Sequence, residues 1–300
     1  MGHIIADLQE KFKHGNIYMR LIFINAGIFI VTTLLTVSLQ LFNRTIPQLF
    51  DLFELPASFE RLIGQPWSII TYMFMHAGFM HILFNMLWLY WFGSLFLYFF
   101  SAKHLRGLYI LGGIFGGLLY MIAYNVFPYF SQVIESTTLV GASASVLAIV
   151  AATAYREPNY RVQLFLFGTV RLKYLALIVI GSDLLFITSE NAGGHLAHLG
   201  GALGGVLFAY CLTKGIDLTS WINKLLDGIL TLFSGKSWKR KPKMKVEYNN
   251  SYNRKQDYNY NAQKKAQSDE VDRILEKLKK SGYDSLTTEE KKNLFDASKR

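Results

Sequence analysis

One cysteine in 300 residues, Cys211, excludes an intramolecular disulfide. It sits inside an apolar run and reads as a small buried hydrophobe. Charge is scarce as well: 17% of residues are Asp, Glu, Lys or Arg, against 51% hydrophobic. A soluble domain of this length is usually less apolar. There is no HExxH metal motif, and no internal repeat or pair of interrupted apolar segments of the kind that marks solute transporters. Charges run through the first twenty residues, so no removable signal peptide is expected. Met1-Gly2-His3-Ile4-Ile5-Ala6 lacks the Ser/Thr of a myristoylation signal. Membrane insertion must rest on the apolar runs themselves.

Those runs fill the region from about 20 to 213, and the last third is polar. A spanning helix needs about 20 mostly apolar residues. Six stretches qualify, at roughly 20–42, 80–100, 107–127, 139–155, 172–189 and 195–213, which predicts an all-α membrane protein of six transmembrane helices. The fourth and sixth are rich in Gly, Ala and Ser, and small side chains let helices approach closely, so both are expected at the centre of the bundle. Lys and Arg mark cytoplasmic connections. They occupy the segment before the first span (Lys11, Lys13, Arg20), the second connection (Lys103, Arg106), the fourth (Arg156, Arg161, Arg171, Lys173) and the tail. The connections at 128–138 and 190–194 have none; only the long first connection, 43–79, breaks the pattern with Arg44 and Arg61. Both termini are expected in the cytoplasm, with spans two, four and six starting at the outer face.

That topology brings the polar residues of the apolar runs to one depth. His81 and Asn85 lie in the first two turns of span two, Ser143 in the first turn or so of span four and His198 in the first turn of span six. Polar side chains at membrane depth are functional candidates, because hydrocarbon offers them no water. A serine hydroxyl becomes nucleophilic when a base takes its proton, and an imidazole is a suitable base. Attack on an amide creates an oxyanion that needs preorganised donors. His81 and Asn85 are four apart and share a helix face, so both can donate, along with the Ser143 backbone N–H. Gly201 and Gly205 would let span six approach span four closely enough for Ser143 and His198 to meet.

Taken together, His76-x4-His81-x3-Asn85, Gly141-x-Ser143 and Ala197-His198-x2-Gly201-x3-Gly205 resemble the rhomboid intramembrane serine proteases over about 20–213. The resemblance implies a Ser–His dyad without a third acid, with Ser143 as nucleophile, His198 as base, and His81 and Asn85 as oxyanion donors. It implies no cofactor, and transmembrane proteins as substrates, cut near the outer face. It also implies a long first loop lying partly in the outer leaflet, with Gln65-Pro66-Trp67 leading into span two. Two positions depart from the family's habit: Ala144 follows the serine where Gly is frequent, and Leu147 stands where an aromatic often stacks on the base.

Plainer roles are assigned elsewhere. Ser145 faces away from Ser143 and reads as structural. His195 competes with His198 for the role of base, but the glycine spacing fits only His198. Four histidines (76, 81, 195, 198) suggest zinc, yet no carboxylate accompanies them in their helices, so no metal is expected. Asp183, the only acid well inside an apolar run, reads as a structural hydrogen bond to a neighbouring helix, with tuning of His198 or of a gate as the functional alternative. Trp88-Leu89-Tyr90-Trp91-Phe92 reads as lipid-facing packing.

The tail divides by composition. Residues 214–235 form an amphipathic juxtamembrane segment, and 236–267 carries ten Lys/Arg and two acids, a composition expected to be a disordered linker. Its expected partner is membrane lipid rather than nucleic acid. Residues 268–300 show helical spacing at Val271, Ile274, Leu275 and Leu278, then capping signals at Thr287-Thr288-Glu289-Glu290, and predict a small helical hairpin. The Lys/Asn/Tyr-rich composition points to a bacterial inner membrane. The alternative function is a catalytically inactive rhomboid-like protein that binds transmembrane clients without cutting them; such proteins lack the serine or the histidine.

Overall fold

A backbone crossing hydrocarbon must satisfy its N–H and C=O groups within its own segment, so apolar runs fold as helices. The computed structural model describes residues 15–44, 50–164, 168–233 and 252–298. Lys11, Lys13 and residues 236–251 of the basic stretch lie outside them. In chain order, α1 (Ile17–Leu41) is followed by a folded connection of β1 (Leu55–Pro56), α2 (Phe59–Gly64) and α3 (Ser68–Thr71). Then come α4 (Phe79–Phe96), α5 (Ala102–Val126), β2 (Thr138–Leu139), α6 (Ser143–Arg156), the strands β3 (Arg161–Leu164) and β4 (Gly168–Arg171), α7 (Leu172–Leu185), α8 (Ala192–Thr213) and α9 (Ser220–Phe233). The chain divides into two units, Met1–Ser237 and Trp238–Arg300; α10 (Tyr252–Ser281) and α11 (Thr288–Ser298) belong to the second.

Among the described residues, α1, α4, α5 and α8 are long and apolar enough to cross a membrane. Two of the expected spans are shorter than composition suggested. Helices α6 and α7 have 14 residues each. The run at 139–155 does not begin as helix, because Thr138–Leu139 pairs with Leu55–Pro56 as a short antiparallel ladder and Gly141 then adopts φ +124°. Residues beyond Leu185 turn the chain back toward α8.

The centre of the first unit is α5, α6 and α8, joined through small residues. A Cβ at Gly201 would collide with the Ala144 carbonyl, and one at Gly205 with the Ala148 carbonyl. Gly116 of α5 faces Ala144 and the Ala197 carbonyl in the same way. Eleven of the α6 residues are buried, Ala144 to Ala154. Helix α1 is the opposite case: Ile30, Val31 and Leu34 are 55%, 65% and 62% exposed, an apolar face that suits lipid and not water. A buried polar relay fastens its inner side, where Asn25 Nδ2 donates to Tyr109 Oη at 3.1 Å and Tyr109 donates to the Met73 carbonyl at 3.1 Å.

The first connection is ordered by side chains that meet backbone carbonyls. Gln65 Nε2 donates to Glu54 O at 3.1 Å, Trp67 Nε1 to Leu52 O at 2.7 Å and Thr71 Oγ1 to Phe53 O at 2.8 Å. Arg61 reaches across to the Glu135 carbonyl at 2.7 Å, so an arginine that departs from the charge pattern serves to tie the first connection to the third. The fourth connection, legible in sequence only as basic, folds as the β3–β4 hairpin, with Arg161 opposite Arg171. Helix α9 is held to the start of α5, where Arg106 donates to Asn223 Oδ1 at 2.9 Å and Asp227 Oδ1 at 2.8 Å.

In the second unit, residues 252–267, expected to be part of a disordered linker, are the first half of α10. Ala, Gln, Lys and Arg are good helix formers, and this half of the stretch has no Pro or Gly to interrupt them. Thr287 and Glu290 form a reciprocal cap at the start of α11: Thr287 N–H donates to Glu290 Oε2 at 2.8 Å, and Glu290 N–H to Thr287 Oγ1 at 3.3 Å.

Candidate functional site

Ser143 is the first residue of α6, and the backbone before it sets its place. Gly141 N–H donates to the Tyr72 carbonyl at 2.9 Å, while the Tyr72 hydroxyl donates to Gly113 O at 2.6 Å. The turn is thereby tied to α5. At Gly141 the φ of +124° suits only glycine, and a Cβ would lie 2.8 Å from His81 Nε2 and 3.7 Å from Ser143 Oγ. The imidazole of α4 therefore packs on bare backbone beside the serine. The first N–H groups of α6 have no acceptor in the helix ladder, and the N-terminal end of the helix favours negative charge.

His81 and Asn85 project from one face of α4. The Ala77 N–H donates to His81 Nδ1 over a long 3.4 Å, so the neutral ring carries its proton on Nε2, the side nearest Gly141 and Ser143. Asn85 is buried, and its Nδ2 donates to the His81 carbonyl at 2.9 Å. A carboxamide nitrogen has two protons, so one donor remains. These assignments follow from the hydrogen-bond network around each ring and amide. His76 lies outside α4 with its ring 5.2 Å from that of His81. Burial first, and His81 second, push His76 down to about 4, so it is neutral at neutral pH.

His198 is placed by a partner on another helix. Its Nδ1 lies 2.8 Å from Asp183 Oδ1 on α7. A carboxylate has no proton to give, so the ring proton is on Nδ1 and Nε2 keeps its lone pair. His81 and His198 thus take opposite tautomers, one offering a donor at Nε2 and the other an acceptor.

Ser143, His81, Asn85 and His198 line one cavity of about 420 Å³. Phe84, Trp88, Val146 and Leu147 supply apolar wall. Trp88, read from sequence as lipid-facing, therefore faces this space. Leu147, standing where an aromatic is frequent, is part of the same wall, and Ala144 fits because Gly116 and Gly201 face it. Among the described residues no hydrogen bond joins Ser143 Oγ to His198; in resting enzymes such bonds are often long and tighten with substrate. Ser145 is buried and outside the cavity wall.

Sequence reasoning missed the connectivity of Asp183. It does make a hydrogen bond to a neighbouring helix, and that bond goes to His195 Nδ1 and His198 Nδ1 at 2.8 Å each. The signal was its isolation as an acid in an apolar run. The carboxylate that the histidines lacked within their own helices thus arrives from α7. One ligand atom from each of Asp183, His195 and His198 lies within 4.8 Å of the others, a spacing that a metal ion could bridge.

Residues 63–215, half of the chain, match the Rhomboid domain family. Residues 255–300 match a family of unknown function (DUF6576). The chain is similar to RHOMBOID-like protein 12, mitochondrial, of Arabidopsis thaliana, at 29% identity over 71% of this chain and 62% of the relative. It is also similar to Rhomboid protein 1, mitochondrial, of Saccharomyces cerevisiae, at 28% identity over 50% of this chain and 43% of the relative. The chain thus spans less than two thirds of either relative's length. Both relatives are named mitochondrial, which lends no support to the expectation of a bacterial membrane.

Proposed function

The chain belongs to the rhomboid family, and from that premise we propose that it is an intramembrane serine endopeptidase. Ser143 Oγ attacks a peptide carbonyl while its proton passes to His198 Nε2. His81 Nε2–H, the remaining Asn85 N–H and the Ser143 backbone N–H stabilise the oxyanion. His198 then gives the proton to the leaving amine, and water releases the acyl group by the same route in reverse. The observation that carries the reading is the sharing of one apolar-walled cavity by Ser143, His81, Asn85 and His198.

In this reading α1, α4, α5, α6, α7 and α8 are six spans within a protease domain at 20–213. Both termini are cytoplasmic, in a bacterial inner membrane, as the Lys/Arg distribution and composition suggest. A 14-residue helix is about 21 Å long, against about 30 Å of hydrocarbon. With its cytoplasmic end at the interface, α6 would begin about 10 Å below the outer boundary, which suits a nucleophile that acts on transmembrane segments near that face.

The test is labelling of the purified full chain with a fluorophosphonate probe, together with cleavage of a transmembrane substrate. Wild type should label and cut, and Ser143→Ala and His198→Ala should do neither while remaining folded. Cleavage by Ser143→Ala would sink the assignment. The rival reading, a client-binding protein without activity, draws on the missing Ser143–His198 hydrogen bond; a folded wild type that binds clients but neither labels nor cuts them would favour it.

A further inference from the structure

Asp183 is buried, with 3% of its surface exposed, in the last turn of an apolar helix. A carboxylate so placed is costly unless partnered. Its two partners are on α8, and both bond the same oxygen: His195 Nδ1 and His198 Nδ1 each lie 2.8 Å from Oδ1. Oδ2 has no hydrogen-bond partner among the described residues. A tie between two helices needs only one of these bonds. The carboxylate instead faces a pair of imidazoles one helical turn apart, and one of them lines the cavity of Ser143.

We propose that Asp183 is a positioning residue for His198, so that the site works as a three-membered relay, with His195 holding the carboxylate in place from the preceding turn of α8. This inference rests on the protease reading above. Asp183 Oδ1 keeps the imidazole proton on Nδ1 and turns Nε2 toward the serine. When Ser143 Oγ attacks, its proton moves to Nε2, His198 becomes an imidazolium that retains Nδ1–H, and Asp183 stays ionised throughout. The carboxylate thus stabilises the positive ring without taking a proton. The titratable groups that face this end of α8 are Asp183 on α7, His195 on α8 itself, His81 across the cavity on α4, and Tyr120 and Tyr124 of α5 beside Gly193. Asp183 is the one acid among them.

Four variants of the full chain, purified in detergent, test this. Asp183→Asn keeps the shape but removes the charge, and its amide offers N–H in place of a lone pair. Its kcat should fall by about 10²–10⁴ with KM near wild type, and the acid limb of the kcat/KM profile should move to lower pH, because the imidazolium loses its partner. Asp183→Glu should recover part of the loss. His195→Ala should lower turnover by less than about tenfold and leave the acid limb in place, since the bond to His198 remains. An Asp183→Asn variant with wild-type kcat and an unmoved limb would overturn the relay. So would activity that a chelator abolishes and zinc restores, which would make Asp183 a metal ligand. A second readout does not depend on activity: histidine ¹⁵N shifts should report His198 as the Nδ1–H tautomer in wild type and a mixture in Asp183→Ala. A wild-type Nε2–H tautomer overturns the inference. If wild type neither labels nor cuts, the protease reading falls and the tautomer alone decides the role of Asp183.

Discussion

Gly201 lies against the carbonyl of Ala144, the residue that follows Ser143, and Gly205 repeats the contact one turn later at Ala148. The two helices carrying Ser143 and His198 therefore touch backbone to backbone. No methyl group fits between them, and the distance from α8 to α6 is set by the absence of side chains.

Gly201→Ala is accordingly expected to push α8 away from α6. Overpacking of this kind costs about 1–3 kcal/mol. Thermal unfolding in detergent should show that loss, and turnover should fall further than stability predicts, because His198 moves with the helix. Gly27→Ala, on a helix position with nothing within 4 Å, is the control and should change neither quantity. Equal activity in the two variants would count against close approach as the setting device.

Removal of an oxyanion donor should slow the chemical step more than probe attachment. His81→Ala and Asn85→Ala are each expected to lower turnover by about 10²–10³, the cost of one such donor in a well-studied soluble protease. Labelling of Ser143 should fall less. Turnover unchanged in both variants would remove α4 from the site.

The second unit should be dispensable for chemistry. Ser143, His198, His81 and Asn85 all belong to the first unit, so the proposed chemistry takes no group from the second. Truncation after residue 235 is expected to leave cleavage of a purified model substrate largely intact. Loss of that activity in a folded truncation, or access of an external protease to the tail in cells, would reverse the proposed topology.

The start of α11 should respond to acid. Bonds from Lys277 and from the Thr287 N–H hold Glu290 down to about 2, from an ordinary 4.5. A depressed folded value means the contribution is full above about 4.5 and is lost as pH falls toward 2. Amide protection factors over 288–298, corrected for intrinsic exchange, should fall across that window in the full chain. In Glu290→Gln they should be low already at pH 6 and indifferent to acid.

Much of this protein is legible along the chain. Apolar length located α1, α4, α5 and α8, because bilayer thickness and the need to satisfy backbone groups leave few alternatives. The i, i+4 pair His81–Asn85 and the Gly201–Gly205 spacing are properties of one helix face, so local periodicity exposes them. The start of α6 was not legible: the apolar run continues through 139–142, and only pairing with β1 and the φ of Gly141 show that the helix waits until Ser143. The linker expected at 252–267 became helix, since composition there weighed charge more than helix propensity. The tautomers were also out of reach. Which ring nitrogen carries the proton depends on what faces the other, and for His198 that is Asp183, fifteen residues away on a different helix. Sequence by itself determined which residues could do the chemistry, through their types and their spacing. The tertiary structure alone decided which proton sits where, because a carboxylate acts on an imidazole through space, over 2.8 Å, and not along the chain.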